Sequence, residues 1–312
     1  MTLRVLVALN PDGQDRWMEA LHRAAEAAGL DAELRPFPDD APPQSVDALV
    51  YGAAGRLQDF RPYAGLRLIQ CVWAGVEAVL ANPTLPEGAP LARMVEPGLT
   101  EGMTDYVVAH VMRLHMGLHQ PSGAQRWFVD VPPLSRWRRV GVLGLGQLGA
   151  DAARALAGLR FDVAGWSRTP KTIPGVACLH GEDGLETLLR RSEILVGLLP
   201  ATAATANLLD ARNLALSPEG AMIVNAGRGE LIDDAALLAA LDARLGHATL
   251  DVFRQEPLPA DHPFRTHPKV TVTPHVASAT RPETAAPEVV AQLGRLSRNE
   301  PLLHVVDRAR GY

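Results

Sequence analysis

The chain has 312 residues, 47% of them hydrophobic and 21% charged, with a formal net charge of −5. That length exceeds what a single hydrophobic core usually organises, so two domains are expected. The mild acidity, spread along the chain, excludes the basic footprint of a nucleic-acid partner, and no apolar run approaches the roughly 18 residues of a membrane span.

The first apolar run, residues 3–9, is too short for a signal-peptide core. Cys71 and Cys178 lie far apart in apolar runs, outside any CxxC or Cys/His cluster. Buried reduced thiols and a cytoplasmic location are therefore expected. Strand-like runs at 5–9, 48–51 and 68–72, with a helical pattern at 17–28 stopped by Gly29, predict parallel βαβ units. A long helix is predicted over 100–119, with Thr100 as N-cap and Val107, Val111, Leu114 and Leu118 at helical spacing. His115 and His119 lie one turn apart on it, but with no HExxH and no third ligand they predict helix surface, and no metal site is expected.

Beyond "DVPPLSRWRR" six strands are predicted, at 140–143, 162–166, 194–199, 221–225, 248–252 and 270–273, and a last helix spans 282–297. The expected fold class is α/β, with two doubly wound parallel-sheet (Rossmann-like) domains and a cleft between them. Residues 1–99 plus 282–312 would form a flavodoxin-like substrate-binding domain, and 100–281 a dinucleotide-binding domain.

"RVGVLGLGQLGADAARALAGL" sets Gly144, Gly146 and Gly149 between an apolar strand and an amphipathic helix. Gly144 suits the tight turn, Gly146 the approach of a pyrophosphate, and Gly149 close helix–strand packing. Gln147 and Leu148 would offer backbone N–H groups to the phosphates. The acid that reads a ribose 2′-hydroxyl is expected about 20 residues on, at the end of the next strand. That strand ends instead in Trp166, Ser167 and Arg168, while Asp162 stands at its start. Ser167 and Arg168, with Lys171, are donors suited to a 2′-phosphate, so NADP(H) is expected in preference to NAD(H), which remains possible.

Ligands of an open parallel sheet bind outside the carboxyl ends of its strands. Arg228 of "AMIVNAGRGELID", Glu256 of "LDVFRQEPLP" and His275 of "VTVTPHVASAT" each follow such a strand. Hydride transfer to a carbonyl leaves an alkoxide that needs a proton. Imidazole titrates near neutrality, and a carboxylate such as Glu256 would fix its orientation and favour its charged form. The planar fork of Arg228 suits a substrate carboxylate and carbonyl.

Through "GVLGLGQLG", "NAGRGELID", "LDVFRQEPLPADHP" and "VTPHVASAT", in that order, the chain resembles the D-isomer-specific 2-hydroxyacid dehydrogenase family. "GWSR" with Lys171, "VWAGVE" and "TRP" bring the resemblance nearest to its glyoxylate/hydroxypyruvate reductase A type. The resemblance implies an NADPH-dependent enzyme that reduces a small 2-oxo acid, with Arg228, Glu256 and His275 as catalytic residues, and a homodimer. It further implies substrate contacts at Trp73, Ala74 and Gly75, where Trp73 is either pocket wall or core. Cofactor contacts are implied at Pro200, Thr205, Ala226, Gly227 and Asp251, besides Arg228 and His275. Another 2-hydroxy acid, such as phosphoglycerate or the product of a larger 2-oxo acid, or a dinucleotide-sensing binding role, stays open.

Overall fold

The computed structural model describes residues 2–120 and 131–311. It divides into two compact units, Met1–Leu99 with Thr280–Tyr312, and Thr100–Ala279.

The first unit begins with β1 (Leu3–Ala8), α1 (Pro11–Ala28) and β2 (Ala32–Pro36), followed by β3 (Ala48–Tyr51), β4 (Leu68–Cys71), α2 (Glu77–Leu80) and β5 (Leu91–Ala92). All five strands are parallel, in the order β2-β1-β3-β4-β5. Asn10 caps α1 by accepting from the Asp12 N–H, Pro11 opens it, and Gly29 ends it in the left-handed region at φ 60°. Both faces of the sheet are covered. Val5 and Val7 point into one apolar cluster, Leu6 and Ala8 into the other, as the period of a strand requires. Strands β2 and β5 were not expected. The former is an edge strand carrying Glu33 and Arg35, and the latter has two residues, so neither shows an apolar run. Burial pushes the Cys71 thiol up to about 11 and makes it unreactive, whereas Cys178 is partly exposed.

Helix α3 (Pro97–His115) corrects the expected start at Thr100. The Glu96 carboxylate accepts from the Gly98 N–H at 2.6 Å and Pro97 opens the helix, so Thr100 falls inside the first turn. Gly117, at φ 71°, stops it through bonds from its own N–H to Leu114 and from the Leu118 N–H to Arg113. Val107, Val111 and Leu114 are buried, but Leu118, past the stop, is 71% exposed. The expected surface placement of the histidines is corrected for His115, which is buried with its ring edge-on to Phe161.

The second unit continues with β6 (Arg139–Leu143), α4 (Gln147–Gly158), β7 (Asp162–Ser167), β8 (Ala177–His180), α5 (Gly181–Arg191) and β9 (Ile194–Gly197). Then come α6 (Ala211–Leu216), β10 (Met222–Asn225), α7 (Asp234–Ala243), β11 (His247–Leu250) and β12 (Val270–Val272). The sheet has seven parallel strands rather than six, ordered β12-β11-β10-β9-β6-β7-β8. The added β8 pairs with β7 alone and has no buried residue, which hides it from a search for apolar runs. Helices α3 and α4 cover one face, and α5, α6 and α7 the other. The chain leaves β6 toward β7 and β8, then returns to β9 on the other side, so the switch point lies between β6 and β9. Finally α8 (Pro282–Ser297) rejoins the first unit and packs on α1.

His247, at the start of β11, is buried with Nε2 2.9 Å from Thr271 Oγ1. Burial, followed by nearby His119 and Arg113, pushes its pKa down to about 4. His110, His115 and His119 are lowered by burial in the same direction. An unfolded imidazole takes up its proton near pH 6.5, whereas the folded His247 does so only near 4. Stability is therefore present above the unfolded pKa and lost as pH falls through this window. The thermal midpoint should drop between about pH 6.5 and pH 4, and His247→Asn should make that drop shallower in a calorimetric pH series.

Candidate active site

The loops that follow β6, β7, β9, β10, β11 and β12 all leave the carboxyl edge of one parallel sheet. At the first, Gly144 takes φ 103° and donates its N–H to Trp166 O. A Cβ on Gly144 would lie 2.8 Å from Leu198 O, and one on Gly149 would lie 1.8 Å from Gly144 O. The protein's own packing demands both glycines. Gly146 differs, because a Cβ there would meet nothing within 4 Å. Its bareness leaves room in front of α4, whose N-terminus at Gln147 and Leu148 has no side-chain cap. Open backbone beside free N–H groups fits a dinucleotide pyrophosphate.

At the end of β7 the Ser167 hydroxyl donates to Thr169 O at 2.8 Å, and Arg168 and Lys171 are exposed. Asp162, at the strand's other end, pairs with Arg191 at 2.6 Å, and the segment 167–171 that follows β7 carries no acid of its own. After β9, Thr205 Oγ1 donates to Pro200 O at 2.6 Å and accepts from the Thr202 N–H, tying that loop to itself.

Asn225 closes β10 and is buried. Its Nδ2 donates to Arg228 O at 3.0 Å and its Oδ1 accepts from the Gly227 N–H, clamping the turn through Ala226 and Gly227. Asn225 is a functional residue that apolar runs and strand-end charges do not reveal, although an amide ending an otherwise apolar strand is a visible signal. Arg228 is partly exposed, with Nη1 donating to Gly227 O at 2.7 Å. Next to it, a Cβ on Gly229 would come within 2.0 Å of the Phe253 carbonyl carbon. Backbone contact thus joins the Arg228 loop to the segment that leads to Glu256.

Glu256 and His275 meet directly, with Oε2 2.6 Å from Nδ1. The other carboxylate oxygen, Oε1, accepts from the Phe253 N–H at 2.9 Å, which fixes its plane. His275 itself takes φ 52°. With Nδ1 engaged and the side chain 51% exposed, Nε2 is the nitrogen that can exchange a proton with a ligand. Asp251 has no exposed surface. Its Oδ1 accepts from Thr273 Oγ1 at 2.6 Å and the Val276 N–H at 2.9 Å, and its Oδ2 from the Ala277 N–H at 2.8 Å. Its carboxylate thereby holds the His275 loop.

In the first unit, Trp73, Ala74 and Gly75 follow β4. The Trp73 N–H donates to Cys71 Sγ and its carbonyl accepts from the Met94 N–H. The side chain is not core, since the residue is 39% exposed.

Residues 107–277 match the family model described as D-isomer specific 2-hydroxyacid dehydrogenase, NAD binding domain. The chain belongs to this family. It is accordingly an NAD(P)-dependent oxidoreductase. Among D-isomer-specific 2-hydroxyacid dehydrogenases, a glyoxylate/hydroxypyruvate reductase A of Yersinia enterocolitica is 38% identical over 256 residues, 79% of this chain and 82% of that one. A family member from Xanthobacter autotrophicus Py2, solved with NADPH and MES, superposes with a TM-score of 0.92 at 38% identity over the full length of both chains. An NADPH-dependent glyoxylate/hydroxypyruvate reductase of Sinorhizobium meliloti, solved with NADP and sulfate, gives 0.87 at 33% identity, again covering both chains fully.

The backbone approach at Gly229 gives a direct test. Gly229→Ala forces the Arg228 and Phe253 segments apart, and a displacement near 1 Å at reacting groups costs on the order of 100-fold in rate. Steady-state kinetics should show that loss in kcat, with a lowered melting temperature.

Proposed function

We propose that the protein reduces small 2-oxo acids, glyoxylate and hydroxypyruvate foremost, to 2-hydroxy acids with NADPH. The observation that carries this reading is the 2.6 Å contact between His275 Nδ1 and Glu256 Oε2, which leaves Nε2 toward a ligand. When bound, NADPH supplies the hydride for the carbonyl carbon. His275 donates the proton that the carbonyl oxygen then requires, from Nε2, and Glu256 holds the ring and balances its positive charge. Arg228 binds the substrate carboxylate and draws electron density toward the carbonyl oxygen through its guanidinium. Trp73, Ala74 and Gly75 are proposed substrate contacts on the first unit, and the second unit is proposed to be the dinucleotide-binding domain.

Ser167, Arg168 and Lys171 at the end of β7, without an acid among them, support a preference for the 2′-phosphate of NADPH. The relatives whose printed descriptions carry NADPH support the same preference. A homodimer in the cytoplasm completes the proposal, and light scattering after size exclusion checks the dimer.

Loss of reduced-nicotinamide absorbance should be faster with NADPH than with NADH by at least about tenfold in kcat/KM, the worth of one good charged contact. Arg168→Ala should erase most of that ratio, and an unchanged ratio would remove Arg168 from the phosphate site. His275→Ala should lower kcat by about 100-fold to 10,000-fold, as loss of a general acid does. The dissociation constant of NADPH, read by fluorescence titration, should stay within about twofold, a few tenths of a kcal/mol.

A further inference from the structure

Behind the His275 loop a line of hydroxyl groups reaches α3. Thr273 Oγ1 lies 2.6 Å from Asp251 Oδ1, and Tyr106 Oη lies 2.7 Å from the same Thr273 Oγ1. Proton counting sets the direction of both bonds. A carboxylate only accepts, so the single Thr273 proton goes to Asp251, and the Tyr106 hydroxyl must then donate to Thr273. Burial, the larger influence, pushes the Tyr106 phenol up to about 12, in keeping with a permanent donor. The groups facing Tyr106 are Asp251 beyond Thr273, Arg113 two turns along α3, and His110, whose ring centre lies 4.3 Å away at a tilt of 46°.

We propose that Tyr106 and Thr273 are positioning residues for His275, acting through Asp251. Thr273 fixes which way the Asp251 carboxylate faces, and that carboxylate receives the Val276 and Ala277 N–H groups that shape the loop. Tyr106 in turn fixes the Thr273 hydroxyl rotor. The line touches His275 through the backbone alone, by the His275 N–H shared between Asp251 O at 2.9 Å and Thr273 O at 3.1 Å. Its expected effect is therefore on the aim of the imidazole and not on the affinity for either substrate.

This rests on the reading of His275 as proton donor. The test is a double-mutant cycle with glyoxylate and NADPH on the full chain, using Tyr106→Phe, Thr273→Val and Thr273→Ser in the wild type and in His275→Asn. Thr273→Val should lower kcat by about tenfold and Tyr106→Phe by about threefold, with both KM values within about twofold. Thr273→Ser, which keeps the hydroxyl, should restore kcat to within about twofold of the wild type. In His275→Asn neither Thr273→Val nor Tyr106→Phe should lower the residual rate further, because the group they aim is gone. Equal fold losses in both backgrounds would mark a merely structural role and overturn the proposal. So would a wild-type kcat in Tyr106→Phe and Thr273→Val while His275→Asn is impaired. A wild-type rate in His275→Asn would instead overturn the reading of His275 on which the proposal stands. Should Thr273→Val fail to fold, Tyr106→Phe, which loses one oxygen and keeps its ring, carries the cycle alone.

Discussion

Asp251 gives its backbone carbonyl and both carboxylate oxygens to the segment that follows β12. That commitment is what allows His275 to sit at φ 52°, a left-handed conformation that costs a non-glycine residue on the order of 1 kcal/mol and survives only where neighbours over-determine it. The pairing of His275 with Glu256 follows from it. Without the turn, His275 Nδ1 would not reach Glu256, and without the Phe253 N–H on its other oxygen Glu256 would not hold one plane. A buried carboxylate with several donors is an expensive device for stability alone, but a precise one for aiming a side chain.

The glycines at this edge divide by cause. Gly144, Gly149 and Gly229 are bare because another part of the chain occupies the space a methyl group would need. Gly146 is bare with no such neighbour. Steric demand inside the protein explains the first group completely and the last not at all, so Gly146 separates a requirement of the fold from a requirement of what the fold receives.

Much of this was legible in the sequence, and the boundary of legibility is physical. Helix α8 was expected over the residues it occupies, because its apolar spacing and its opening Pro282 are both local signals. Strands buried on two faces, such as β6, β9 and β10, read as unbroken apolar runs. The edge strands β2 and β8 did not, since half-exposed backbone places no demand on side chains. The pairing of His275 with Glu256 could be anticipated from strand ends and chemistry. The clamp of Asn225 on the Arg228 turn, and the commitment of Asp251 to its neighbours, could not. Each depends on hydrogen bonds between residues whose types alone admit many partners. Glu96 capping α3 was hidden for the same reason, and it moved the helix start ahead of Thr100.

The placement of α8 bears on how the chain is made. The apolar face of α1, with Trp17, Ala20 and Leu21, is covered by Ala285, Val289, Val290 and Leu293 of α8. Between the two lies the whole second unit, Thr100–Ala279. As the chain emerges from the ribosome, the first strands and α1 therefore appear long before the helix that seals them. The later-made unit is contiguous and can close its own core first. Order of synthesis and order of completion are thus reversed: the strands made first can cover one side of the α1 stripe, while the side that α8 seals stays open until the last helix is made.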